Sequence, residues 1–171
     1  KRMTAGYTAQ KTINPQNAAM YATADMTEAD IKPVPVPSVV GGANAFMSGS
    51  SDAFMFALGA GKVREADAAV GGIRALKIVK QADSEDKIRK HWPVGYLTLV
   101  NPGPAAGPGV KEPTWMLTYP QAIAAGEKMS DEAAYNVAKA MYNGAAQLGK
   151  LLPPFRLFKP NEMVGPSGGV P

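Results

Sequence analysis

KRMTAGYTAQKTINPQNAAMYAT, Lys1 to Thr23, is the stretch on which the fold turns. Lys1 to Ala5 reads as a strand and Gly6 to Lys11 as a polar loop. Asn14 is placed to cap a helix, with Pro15 at the first helical position, where its fixed φ and missing N–H are tolerated. A strand, a short loop and a small-residue helix predict the first half of a βαβ unit. The loop then either presents main-chain N–H groups to a ligand or serves only as a connection.

Reading outward, the punctuation repeats. Thr27-Glu28-Ala29-Asp30 has the form of a capping box with Asp in place of Glu, and predicts a single turn. Ile31 to Pro37 alternates apolar residues with proline, so it suits an edge strand or extended segment. Ser38 caps a helix predicted over Val39 to Met47. Asp52 to Leu58 and Ile73 to Val79 are apolar runs bounded by turn residues, the pattern of buried parallel strands. Between them a helix is predicted from Val63 to Val70, closed by Gly71-Gly72. Ser84 to Trp92 forms a short helix. Tyr96 to Val100 and Thr114 to Thr118 add strands, and Ser130 caps a long helix reaching about Leu148, with Ala133, Val137, Ala140 and Met141 on one face. From Leu151 onward the chain is punctuated by proline and reads as irregular. The expected architecture is α/β, a mostly parallel sheet flanked by helices, with residues 1–112 as one lobe and 113–171 as a return segment.

Composition narrows the function classes. The 171 residues are 46% hydrophobic, ordinary for a folded core. The net charge of +4 is modest, and the one dense basic cluster, Lys87 to Lys90, follows Ser84-Glu85-Asp86, as a helix dipole favours. Aromatic residues do not interleave with the basic ones, so nucleic-acid binding is not expected. Cysteine is absent, which removes disulfides, thiolate nucleophiles and Cys-based metal sites. No apolar run is long enough to span a membrane. The chain opens on a strand without an initiator Met, which reads as an internal segment of a longer protein.

Catalytic constellations are sparse. His91 has no Cys to join it, so a zinc site would need carboxylates converging from unrelated segments, and it lies at the end of a charged helix beside Trp92-Pro93. No G-x-S-x-G, P-loop or G-x-G-x-x-G occurs. Carboxylate pairs such as Asp25 with Glu28, or Glu65 with Asp67, fit solvated helix faces. No catalytic residue, metal or cofactor is therefore expected. What remains is positional: in open α/β sheets ligands bind beyond the carboxyl ends of the strands. Gly6 to Lys11 and Phe56 to Lys62 occupy such positions. The first offers hydroxyls on Tyr7 and Thr8, an amide on Gln10 and a cation on Lys11, an inventory suited to a small carboxylate.

Asp52-Ala53-Phe54-Met55-Phe56, preceded by Gly49 and followed by Gly59, resembles the G-x-x-D-A-x-F…G segment of the TAXI-type solute receptors of TRAP transporters. The resemblance extends in order. Lys1 to Thr12 is similar to the strand and loop opening that family's second lobe, and Pro113 to Leu148 to its return strand and long helix. The family loop often reads Gly-Ser-Gly-Thr, where this chain has Thr8-Ala9-Gln10-Lys11-Thr12, and Ala60-Gly61-Lys62 replaces a proline common after the later glycine.

The resemblance implies one lobe of a type II periplasmic-binding-protein fold, with part of the crossing toward a first lobe. It implies a periplasmic, non-enzymatic receptor that holds a small organic acid or amino acid such as glutamate and delivers it to the membrane subunits of a TRAP transporter. The implied site takes Gly6, Tyr7, Thr8, Ala9 and Lys11 as one wall, with Phe54 and Met55 near the apolar part of the ligand. Rival readings are the effector domain of a transcription regulator, a lobe of an α/β enzyme, and a peptide-interaction module using the proline-rich loops.

Overall fold

The computed structural model describes residues 1–121, 123–151, 155 and 158–163. Most of the proline-rich tail, expected to be irregular, lies outside them. The chain is mixed α/β and divides into two compact units, Lys1–Tyr119 and Pro120–Pro171. The division falls after Tyr119 rather than at 112/113, because the strand at 114–118 pairs within the first unit.

Strand β1, Arg2–Ala5, lies parallel to β2, Lys32–Pro35, in the register Thr4↔Val34. Lys32 donates to the Lys1 carbonyl at 3.0 Å and Val36 to that of Ala5 at 3.2 Å. Pro33 and Pro35 alternate with these donors, so the missing N–H groups fall where no partner strand needs them. The other edge of β1 is also occupied. Asp52 N–H donates to the Arg2 carbonyl (2.9 Å) and Thr4 N–H to that of Ala53 (3.2 Å), a parallel bridge at Met3↔Ala53. β1 is thus central, and Thr4 and Ala5 are buried.

Helix α1, Ile13–Ala22, returns the chain from β1 to β2. It begins earlier than expected, because Asn14 is not its cap. The Asn14 amide instead clamps the Tyr7 peptide, accepting from its N–H at 2.9 Å and donating to its carbonyl at 3.1 Å. Asn17, one turn on, donates to the Thr4 carbonyl at 3.2 Å. The 3-10 turn Glu28–Asp30 carries the expected capping box, with Thr27 N–H donating to Asp30 Oδ2 at 2.8 Å. α2, Val39–Met47, is capped by Ser38 as expected, and leads back across β1 to Ala53. Gly42 lets it approach closely: a Cβ there would lie 3.3 Å from Thr4 Cγ2 and 3.4 Å from the Tyr7 hydroxyl.

Two expected strands do not form. Asp52 to Leu58 makes only the bridge at Ala53, and the Phe54 ring lies 4.9 Å from that of Phe46 on α2 and 6.4 Å from that of Phe56. Ile73 to Val79 makes two main-chain bonds, Ala75 to Gly109 and Ile78 to Trp115. Ile78 is buried, whereas Leu76 and Val79 are 59% and 65% exposed, so this is not the buried strand its composition suggests. Between them runs α3, Gly61–Val70, ended by left-handed Gly71. α4, Ser84–His91, carries Glu85 and Asp86 in its first turn and three basic residues in its last. It begins at Ser84 as expected, and Ser84 is buried with its hydroxyl accepting from Gln81 N–H at 2.8 Å.

β3, Tyr96–Val100, and β4, Thr114–Thr118, form an antiparallel pair, so the sheet content is mixed rather than mostly parallel. The core gathers Ala19 of α1, Ile88 of α4, Leu97 of β3 and Ile78, with Met20, Trp92, Trp115 and Leu117 against them. Lys87 of α4 pairs with Asp25, just past the end of α1, at 2.7 Å and with Asp83 at the start of its own helix at 3.0 Å.

The second unit contains α5, Asp131–Asn143, capped by Ser130 as expected, then α6, Ala145–Leu151, and a 3-10 turn at Pro160–Glu162. The single long helix is divided at Gly144, where a Cβ would come within 2.8 Å of the Ala140 carbonyl oxygen. No α5 residue is buried, including the expected apolar face. Among the described residues no helix is long and apolar enough to cross a membrane.

Arg2 and Asp52 pair at 2.6 Å beside the bridge. Its hydrogen bonds with Arg2 hold the Asp52 carboxyl down at about 2. Because the folded value lies below the unfolded one, the pair stabilises above the ordinary carboxylate range and its contribution is lost as pH falls toward about 2. Melting curves of wild type and Asp52→Asn, compared between about pH 6 and pH 2, should show a deficit in the variant that closes on acidification. A deficit independent of pH would remove the ion pair as its cause.

Candidate ligand-binding site

β1 runs beside β2 on one edge and Ala53 on the other, so three chain segments leave the sheet at the same carboxyl end. The exits are Gly6–Thr12 after β1, Val36–Ser38 after β2, and Phe54–Ala60 after the bridge. Gly6 makes the first exit possible: its φ of 60° is left-handed, and it turns over Pro35 with 3.8 Å between an ideal Cβ and the proline Cβ.

The expected wall separates into two kinds of residue. Tyr7 faces inward. It is 1% exposed, its hydroxyl lies 2.7 Å from Thr4 Oγ1, and the Met55 main-chain amide faces the same oxygen. Burial pushes its phenol pKa up, while the bonds from Thr4 and Met55 oppose that shift. Tyr7 is therefore a structural plug beneath the loop and not a hydroxyl offered to a ligand. Tyr21, on the buried side of α1, is pushed up to about 12 by burial, then by the charge of Glu28 and by Tyr7. Thr8, Ala9, Gln10 and Lys11 are exposed, and among the described residues the side chains of Thr8 and Lys11 have no partner. Phe54 and Met55 are half-buried. Phe54 stacks on Phe46, so packing accounts for it, and Met55 meets Tyr7 through its main chain.

The loop amides are less available than the sequence suggests. Tyr7 N–H is held by Asn14, and Ala9 N–H donates to the Pro37 carbonyl at 2.9 Å. The first two amides of α1 donate backward, Ile13 to Gln10 and Asn14 to Lys11. The front of α1 is thus closed by its own turn. Gln10, missing from the expected wall, has a defined role: its Oε1 accepts from Val39 N–H at 2.7 Å and caps α2 across 29 residues of sequence. Only the presence of an acceptor in the loop signalled this, since the partner lies on another element. The groups left to meet a ligand are the Thr8 hydroxyl, the Lys11 ammonium and the open side of the loop.

A separate open groove of about 470 Å³ lies between α3 and the loop at 103–108, lined by Arg64, Asp67, Gly103, Pro104, Gly107 and Pro108. Gly107 (φ 81°) rests on Gly59 (φ 71°), where a Cβ would come within 3.2 Å of the Gly59 nitrogen. Among the described residues no group of three or more His, Cys, Asp or Glu is placed to hold a metal ion. No protein-family model matches the chain, and no curated protein matches it.

Gln10→Ala should cost about 1 kcal/mol of stability through loss of the α2 cap, with Gln10→Glu restoring it. Tyr7→Phe should cost about 1–3 kcal/mol, because it leaves the buried Thr4 hydroxyl without its partner. Chemical denaturation measures both. A neutral Gln10→Ala would mean that water caps Val39 equally well.

Proposed function

We propose that this chain is the ligand-binding lobe of an extracytoplasmic solute receptor, a lobe of the type II periplasmic-binding kind. It holds a small organic acid or amino acid such as glutamate for delivery to the membrane subunits of a TRAP-type transporter. One observation carries the reading: β1 is bonded in parallel on both edges, which brings the loops after β1 and after Ala53 side by side at one carboxyl end. Open α/β sheets hold ligands at such a point, where successive crossovers leave in opposite directions. The similarity of Asp52–Phe56 and its flanking glycines to the TAXI segment supports the same place.

The loop geometry changes how the ligand is met. With the first α1 amides occupied, recognition rests on the Thr8 hydroxyl and the Lys11 ammonium rather than on a helix N-terminus. Tyr7 and Asn14 hold the loop in shape from beneath. A second lobe closing over this edge would exclude water, and exclusion of water strengthens a Lys–carboxylate contact that is weak when exposed.

The test is a calorimetric titration of the complete two-lobe protein with glutamate and simple dicarboxylates. Lys11→Ala should weaken carboxylate binding by about tenfold and Thr8→Val by several-fold, as expected for a charged and a neutral hydrogen bond respectively. Neither substitution touches a buried contact, so melting temperatures should stay near wild type. Unchanged affinity in both variants would remove the loop from the site. Turnover of the added acids would favour the enzyme reading.

A further inference from the structure

The groove between α3 and the 103–108 loop carries a charge arrangement independent of the β1 loop. Arg64 and Asp67 stand three residues apart on α3, a spacing at which opposite charges are neighbours on one helix face. They do not pair with each other. Arg64 donates one Nη2 bond to the Pro104 carbonyl at 3.2 Å, and Asp67 Oδ1 accepts from Ile73 N–H at 2.8 Å. Each charged group is therefore anchored to main chain by one atom. Among the described residues, the remaining guanidinium donors and the second carboxylate oxygen have no partner.

The wall opposite α3 is fixed. Ala106 and Gly107 both donate to the Gly103 carbonyl, at 3.1 and 3.2 Å, closing a tight turn, and Gly107 is seated on Gly59. A Cβ at 107 would press on that backbone and lift the loop away from α3. The groove is open to solvent, and its volume of about 470 Å³ leaves room for a small molecule.

We infer that this groove is a binding site for a zwitterionic α-amino acid, with Arg64 taking the carboxylate and Asp67 the ammonium. A carboxylate alone would leave Asp67 as a like charge beside it, and a cation alone would leave Arg64 so. A molecule bearing both groups on neighbouring atoms satisfies the two at once. The open mouth leaves the amino-acid side chain in solvent, so the site discriminates little between side chains and binds in the millimolar range. This inference does not rest on the receptor reading, because it uses none of the same residues.

The experiment is a ¹H–¹⁵N NMR titration of this chain with glycine and with L-glutamate, beside acetate, methylammonium and N-acetylglycinamide. Glycine and glutamate should give saturable shifts of similar midpoint, centred on the amides of 64–67 and 103–107. Acetate, methylammonium and the neutral amide should not saturate over the same range. Asp67→Asn keeps an oxygen able to accept from Ile73 N–H, and Arg64→Gln gives up only one exposed bond to Pro104, so the fold is preserved while the charge is removed. Each should weaken glycine binding by about tenfold. Acetate matching glycine would overturn the assignment in favour of a plain anion site, as would wild-type affinity in both variants. Loss of organic-acid binding in Lys11→Ala with a silent groove would sink this inference and leave the receptor reading standing. Saturable glycine binding in the groove, together with organic-acid binding that Lys11→Ala and Thr8→Val leave unchanged, would support this inference and remove the receptor reading.

Discussion

β1 is four residues long, yet it is hydrogen-bonded on both edges, and the rest of the first unit is arranged around that fact. A central parallel strand requires each neighbour to arrive by a crossover. α1 carries the chain to β2, and α2 carries it back past β1 to Ala53. Both helices must lie close. Asn17 reaches the Thr4 carbonyl from α1, and Gly42 gives α2 room above the Thr4 and Tyr7 side chains. Thr4 and Tyr7 bond to each other because neither can reach water, and an unpaired hydroxyl there would be costly.

That demand for internal bonding shapes the exposed edge. A loop at the end of a central strand has amides to satisfy, and a ligand is only one way of satisfying them. Here Asn14, Pro37 and the loop's own carbonyls take several, while Gln10 supplies an acceptor to the next helix. The result is a loop held in place by these bonds, with the Thr8 and Lys11 side chains left exposed.

The Arg64–Asp67 groove follows from a different constraint. Its far wall is the Gly- and Pro-rich connection between β3 and β4, which approaches α3 only because Gly59 and Gly107 both adopt left-handed backbone and carry no side chain between them. Main-chain partners on either side draw the two charges apart, so each keeps bonding capacity directed at the groove.

The sequence by itself determined the features whose physics is local. The Ser38 and Ser130 caps, the Thr27–Asp30 box and the Gly71 terminator rest on bonds between residues a turn apart, and residue type and spacing suffice to read them. The proline pattern of Ile31–Pro37 likewise dictates an edge strand. Tertiary structure alone decided the rest, because the deciding partner is distant in sequence. Asn14 has the residue type of a cap but serves Tyr7, and Gln10 serves Val39. Asp52–Leu58 and Ile73–Val79 have the composition of strands, but a strand exists only where another chain segment offers a full ladder, and each of these finds only one or two bonds. The same holds for the charged groove: the helix spacing of Arg64 and Asp67 is legible in the sequence, while their separation by Pro104 and Ile73 is a property of the packed chain.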